Sequence, residues 1–429
     1  MNRDMQARPQ AEDLFVAFGR STAFGPPGSP MDRTPVRIPE LDGLRGLAIL
    51  MVMACHFSAD PAPDRVSQAL GATAAALWIG VDLFFVLSGF LITGGLLSVR
   101  GQPGALRDFY IRRVLRIWPA YLAALVVLLV ILPDTYVYDA ADRWWFSSHR
   151  WYYWLHAMNF VPTPEGIFGY HSVHFWSLSL EEQFYLVWPL AVLTLSDREL
   201  RKVLAAAAGG EFALRVWLAV HASLETRWAA QHLLHFQPLA AGAWLAVAAR
   251  DPHDSVRYAR FAKRGALAGA LALGVLFLNA PGLDKYSPWP FALTITACTV
   301  GFSGLLVRAL TGGTASRWAR FVRLPTFRWV GRYSYAMYIV HMPLVAAAER
   351  MDFRWRVVPT IAGTGIVGYL AYVLVLTGAT CGLAFVSWHA LEKHCLRLRR
   401  FFPRPDFRHA LLPIPNSLSS LPAGPNAVD

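Results

Sequence analysis

The sequence predicts an all-α, polytopic integral membrane protein with about ten transmembrane helices and both termini cytoplasmic. The first observation is composition: of 429 residues 55% are hydrophobic and 13% aromatic, and the mean hydropathy is +0.36, more apolar than a soluble chain of this size ordinarily is. The second is a division into ten apolar segments, at residues 39–58, 77–99, 118–133, 173–195, 203–221, 233–249, 265–280, 289–310, 329–348 and 359–390, most of them near the length that crosses ~30 Å of hydrocarbon. The third is the placing of basic residues. With the N-terminus inside, the inner segments hold 28 Lys and Arg and the outer loops hold 8, the asymmetry that cytoplasmic loops carry. The net charge of +12 is therefore a topology signal, and no nucleic-acid partner is expected.

Three stretches organise the chain. Residues 1–37 are polar, contain GPPGSP at 25–30 and lack the apolar core of a signal peptide, so a disordered cytoplasmic tail is expected. Residues 401–429, rich in Pro and Ser, read the same way. Residues 38–400 form the membrane domain. Cys55, Cys298, Cys381 and Cys395 lie in or beside apolar runs without CxxC spacing, which indicates packing rather than a disulfide framework or a zinc site.

The first span, LDGLRGLAILMVMACHF at 41–57, carries Arg45 and His56 eleven residues apart. At about 100° per residue, eleven steps return to within about 20° of one face, so both polar groups line one stripe about 16 Å apart. An arginine in a membrane helix costs about 2.5–3.5 kcal/mol on insertion scales and faces a protein interior or a cavity. A lone helical histidine is by default a packing residue. The arginine on its face and the carboxylates described below point instead to a site. Cys55 diverges from His56 by about 100° and forms no dyad with it.

In the second span, GVDLFFVLSGFLITGG at 80–95, the small residues permit close helix packing. Asp82 lies in the outer part of that span, where an acid is either paired or functional. Arg112, Arg113 and Arg116 crowd the inner end of the third span, and a guanidinium fork matches phosphate oxygens. The outer loop 134–172 contains WWFSSHRWYYW at 144–154, suited to an interfacial or re-entrant segment.

The fourth span enters from outside with Glu181 and Glu182 about two turns deep. Adjacent side chains point about 100° apart, so the two acids serve one site unequally. His56 reaches a similar depth, and a carboxylate meeting an imidazole there suits general-base chemistry on a hydroxyl. Glu211 and Arg215 of the fifth span lie four residues apart and can pair within the helix. No metal is expected, since His171, His174 and Glu181 lack HExxH-type spacing.

Five ordered blocks, IPELDGLRGLAILMVMACHF (38–57), GVDLFFVLSGFLIT (80–93), FYIRRVLRIWPAY (109–121), FWSLSLEEQFYLVWP (175–189) and WVGRYSYAMYIVHMPL (329–344), resemble the membrane-bound acyltransferase-3 family over about residues 38–395. The resemblance implies transfer of an acyl group, often acetyl, from cytosolic acyl-CoA to a hydroxyl of a glycan, lipid-linked sugar or other acceptor at the inner (cytoplasmic) cell membrane. The family's Arg-x10-His pattern falls on Arg45 and His56, and its Arg-x-x-Arg pattern on Arg113 and Arg116. It implies His56 as general base and Arg45, Arg113 and Arg116 at the donor, with Tyr335, His341, Glu181 and Glu182 as further candidates.

Two departures bear on the acceptor: HFQPLAAG at 235–242 stands where many members have an Arg-Asp pair, and WHALEKHCL at 388–396 replaces a Glu-Arg-Pro type ending. Many relatives also carry a C-terminal extracytoplasmic hydrolase-like domain. The resemblance without one implies that an accessory protein or the membrane domain handles the acceptor, and it leaves room for a homo-oligomer. The competing class is a transporter or flippase of acyl groups or lipid-linked sugars, which a charged stripe across the membrane also suits.

Overall fold

The first helix starts where its sequence permits: Pro39, which needs no N–H partner, opens α1 (Pro39–His56), with Glu40 and Asp42 in the first turn where acids favour the helix dipole. In the computed structural model, which describes residues 38–58, 65–135, 138–161, 172, 174–280, 283–284, 286–313, 316–353 and 365–402, helices follow in the order α2 (Arg65–Ala75), α3 (Gly80–Leu97), α4 (Ala105–Val126), α5 (Ala140–Trp154), α6 (Phe175–Thr194), α7 (Asp197–His221) and α8 (Leu224–Ala230). Then come α9 (Phe236–Ala248), α10 (Pro252–Asn279), α11 (Pro288–Thr311), α12 (Arg317–Val322), α13 (Pro325–Arg350), α14 (Ile366–Ser387) and α15 (Lys393–Arg397). The expected tail 1–37 lies outside the described residues, as does the C-terminal tail from residue 403.

All ten apolar segments contain a helix. Among the described residues, six helical stretches are long and apolar enough to cross a membrane: Arg65–Leu97, Ala105–Asp134, Asp197–His221, Arg260–Asn279, Pro288–Thr311 and Ile366–Phe401. The thirteen-residue α9 is too short for that measure, and α1, α6 and α13 carry polar and ionisable residues into the interior. The third segment begins earlier than its apolar run. Gly104, at φ 77°, turns the chain into α4 at Ala105, so Arg112, Arg113 and Arg116 are helical as well. The aromatic outer segment is α5, started by an Asp139–Asp142 capping box.

Several helix pairs touch backbone to backbone at glycines, and two of these contacts border the site. A Cβ on Gly46 would strike the Phe327 carbonyl oxygen of α13, and one on Gly331 would strike the Asp42 carbonyl oxygen of α1. Gly89 of α3 and Gly242 of α9 are related in the same way, against the carbonyls of Leu239 and Val86. Small residues thus let helices close without a hydrophobic drive between them. At one end of the bundle Asp197 pairs with Arg100 at 2.6 Å and Arg250 at 3.1 Å, and Glu40 pairs with Arg323. At the other, Arg350 clasps Asp139 at 2.6 Å and Asp142 at 2.9 Å, tying α5 to α13.

Candidate active site

The α1–α13 contact sets the geometry of the site. His56 lies ten residues beyond Gly46, and His341 ten residues beyond Gly331. Because the helices run in parallel, the two rings meet, with His56 Nδ1 at 3.0 Å from His341 Nε2 and ring centroids 5.1 Å apart.

The proton positions follow from the partners. His341 Nδ1 lies 2.7 Å from the Tyr338 carbonyl oxygen, which can only accept, so this nitrogen carries the hydrogen. In the neutral ring Nε2 then accepts, His56 Nδ1 donates to it, and the His56 lone pair resides on Nε2. His341 is fully buried, whereas His56 is only partly buried. The buried imidazole orients; the partly buried one can meet a reactant.

Beside the pair stands a third ring. His174, buried just ahead of α6, has its centroid 4.9 Å from that of His341. Its backbone carbonyl accepts from Ser177 Oγ at 3.0 Å and from Tyr338 OH at 3.2 Å, and these two hydroxyls lie 2.5 Å apart. The imidazole approaches the carbonyl of Ile339, which Pro343, lacking an N–H, leaves free within α13. Among the described residues no three His, Cys, Asp or Glu form a metal-holding group.

Towards the other end of α1 the polar residues are charged. Arg45 lies 3.7 Å from Asp42 and within electrostatic range of Arg113 and Glu181. Arg116 shares that range with Arg45, Asp42, Tyr335 and Glu392. The Arg113 guanidinium sits over the rings of Phe109 at 5.5 Å and Tyr185 at 5.3 Å. Arg112 stands further out, beside Asp108 and Arg113, and its backbone carbonyl accepts from Arg399 at 2.7 Å.

The two glutamates differ as their helical offset requires. Glu181 accepts from Ser88 Oγ at 2.6 Å, and Tyr185 OH donates to the same Ser88 at 3.2 Å. Glu182 faces Trp118, with Glu181 and Arg113 near it. The structure therefore brings Arg45, Arg113, Arg116, Glu181 and Glu182 together. The ring nitrogen of His56 bonds a second histidine where sequence reasoning looked for a carboxylate.

Sequence reasoning passed over Tyr338 and Tyr185, weighed His174 only as a metal ligand, and read Ser88 as a small residue for helix packing. Tyr338 and His341 are three apart in the WVGRYSYAMYIVHMPL block, a same-face spacing. The partners of Ser88, and the Tyr338 and His341 neighbours of His174, lie on other helices, and no local pattern marks them.

A family model described as an acyltransferase domain matches residues 38–389. The Peptidoglycan O-acetyltransferase OatA of Listeria monocytogenes is 27% identical over 372 residues, covering 79% of this chain and 55% of that protein. The "Putative peptidoglycan O-acetyltransferase YrhL" of Bacillus subtilis is 28% identical over 407 residues, covering 87% and 57%. A Staphylococcus aureus protein named "Putative O-acetyltransferase" is 33% identical over 172 residues, covering 37% and 25%. The chain thus spans little more than half the length of the first two relatives. No solved structure matches it.

Proposed function

The chain belongs to the acyltransferase-3 family and is a multi-pass membrane protein, and on that footing we propose that it is an O-acetyltransferase moving acetyl from acetyl-CoA to a hydroxyl of a peptidoglycan-type glycan. The observation that carries the reading is the single helix α1, with a cluster of arginines at Arg45 and a histidine of fixed tautomer at its far end. The stripe between them, about 16 Å along the helix, is of the order of the arm that separates the CoA phosphates from its thioester. We place ten spans in the cytoplasmic membrane with both termini inside, so that the basic end faces the cytosol.

In this mechanism Arg45, Arg113 and Arg116, with Arg112 at the mouth, hold the donor phosphates as charge-assisted forks. The thioester reaches towards His56. The acceptor hydroxyl attacks the thioester carbonyl while His56 Nε2 takes its proton. The C–S bond then breaks and the CoA thiolate leaves, receiving that proton from the imidazolium. The ester and free CoA balance the reaction. His341 is a positioning residue, holding the His56 tautomer through Nε2. Glu181 and Glu182 offset the arginine charge along the path and help orient the acceptor.

The alternative is a transporter of acyl groups or lipid-linked sugars. The test is turnover by the purified protein in nanodiscs with acetyl-CoA and a soluble peptidoglycan fragment. Acceptor-dependent CoA release and an acetyl mass on the glycan, both abolished in His56→Ala, are expected. Substrate flux without CoA release, and surviving His56→Ala, would overturn the reading in favour of transport.

A further inference from the structure

At the His56 end of the bundle a cavity that the proposed mechanism does not use lies between α8 and the residues just ahead of α11. The chain leaves α7 at His221, and Ser223, whose hydroxyl accepts from the Thr226 N–H at 3.2 Å, starts α8. Opposite it, Leu283 takes a φ of 52°. Its carbonyl accepts from Trp78 Nε1 at 3.3 Å, and Trp78 stands two residues ahead of Gly80, which packs on Met51 and Val52 of α1. Arg227 joins the two walls: Nη1 donates to the Ala222 carbonyl at 2.6 Å and Nε to the Tyr286 carbonyl at 3.1 Å. The space between measures about 480 Å³, a size typical of small-molecule sites.

We propose that this cavity binds one neutral pyranose ring, as a subsite for the acceptor strand apart from His56. That it serves the acceptor rests on the glycan O-acetyltransferase reading above; the sugar chemistry rests on the walls. Trp228 and Tyr286 line the cavity with their rings edge to face at 5.8 Å, and the negative face of an aromatic ring attracts the C–H side of a sugar. Leu224 and Pro288 add apolar surface. Sugar hydroxyls need both acceptors and donors, and the walls hold both in place. One Asp284 oxygen accepts from the Tyr286 N–H at 3.1 Å and the other from Ser287 Oγ at 2.6 Å, which leaves each a lone pair for a further hydroxyl. Arg227 uses Nε and Nη1 on carbonyls; among the described residues neither its Nη2 nor Trp228 Nε1 meets an acceptor. Arg227 and Asp284 are the two charged side chains among the described lining residues. Their charges cancel, which favours an uncharged ligand over a phosphate or a carboxylate.

Calorimetric titration of the protein in nanodiscs, free of glycoside detergent, with the tetrasaccharide of N-acetylglucosamine tests the site without acetyl-CoA. Saturable binding is expected, weakened about tenfold in Trp228→Ala. Trp228→Phe, which keeps a ring face and loses the N–H, is expected to recover part of the affinity. Should Trp228→Ala fail to accumulate, Asp284→Asn, which keeps the shape and removes the charge, is expected to weaken binding by a similar factor. Trp289→Ala, which alters an exposed tryptophan outside the lining, is expected to leave the affinity unchanged. No saturable binding by the unaltered protein, or unchanged affinity in the variant that folds, overturns the proposal. Binding that depends on Trp228 in a protein that transfers no acetyl group would sink the proposed function and leave the sugar site standing. Acetyl transfer by a protein whose saccharide affinity ignores Trp228 and Asp284 would do the reverse.

Discussion

His56 and His341 are held 3.0 Å apart by a helix crossing that lies ten residues away from both of them. Gly46 and Gly331 let α1 and α13 touch at backbone distance, and the equal offsets along two parallel helices deliver the rings to one level. The histidine pair is thus a consequence of register, and the glycines are as much a part of the site as the imidazoles.

Replacing either crossing glycine therefore has a double effect. Gly46→Ala drives a methyl group into the Phe327 carbonyl, and separating the helices to relieve it costs about 1–3 kcal/mol or more. Thermal unfolding in detergent is expected to show the loss of stability. Any folded fraction is expected to have lost turnover as well, because the His56–His341 bond opens with the crossing.

His341 acts through His56. His341→Ala is expected to lower kcat by about 10²-fold while leaving KM for acetyl-CoA near its original value. His341→Gln, whose side-chain oxygen can still accept from His56 Nδ1, is expected to recover part of the rate. A parallel change in KM in both variants would assign His341 to donor binding instead.

The two ends of α1 are expected to fail differently. Arg45→Ala weakens acetyl-CoA binding, read by calorimetry or by KM. His56→Ala removes a general base, worth about 10²–10⁴ in rate, with donor affinity largely kept. Equal loss of donor affinity in both variants would contradict the assignment of donor end and base end.

The outer segment supplies an acid-side prediction. Burial holds His156 down at about 4 from an ordinary 6.5, its ring stacked on Tyr121 at 4.1 Å. A lowered value means the stability is complete above about pH 6.5 and is lost as pH falls towards 4, where the unfolded chain takes the proton first. His156 has a φ of 49°, a conformation Asn tolerates, so His156→Asn is expected to fold and to show a shallower loss of unfolding midpoint over that range. Asp139 is also held below the usual carboxylate range, chiefly by the Arg350 hydrogen bond and then by the Asp142 backbone. Being half exposed, it adds a smaller loss at lower pH, as the α5–α13 clasp opens.

Much of the architecture was legible in the chain. Apolar length alone located a helix in every one of the ten segments, because a run of nonpolar side chains in hydrocarbon must satisfy its backbone internally. The Arg45–His56 spacing was legible for the same reason: helical periodicity converts a count of residues into a face. The Glu211–Arg215 pairing was readable from an i,i+4 interval, and the structure gives it at 3.6 Å. Boundaries were less legible. The start of α4 is set by the left-handed Gly104 and not by hydrophobicity, so the arginines preceding the apolar run are helical as well.

By itself, then, the sequence determined the helices, their polar faces and the chemistry each face could bear, since those depend on local periodicity and on the cost of burying charge. Only the tertiary structure decided who meets whom. It paired His56 with His341 across 285 positions, tied Glu181 to Ser88, and turned Asp82 away from that site towards His235 and Arg215. The physical reason is that helix register is set by where backbones can touch. In this protein those contacts fall at glycines, whose consequence appears ten residues away and on another helix.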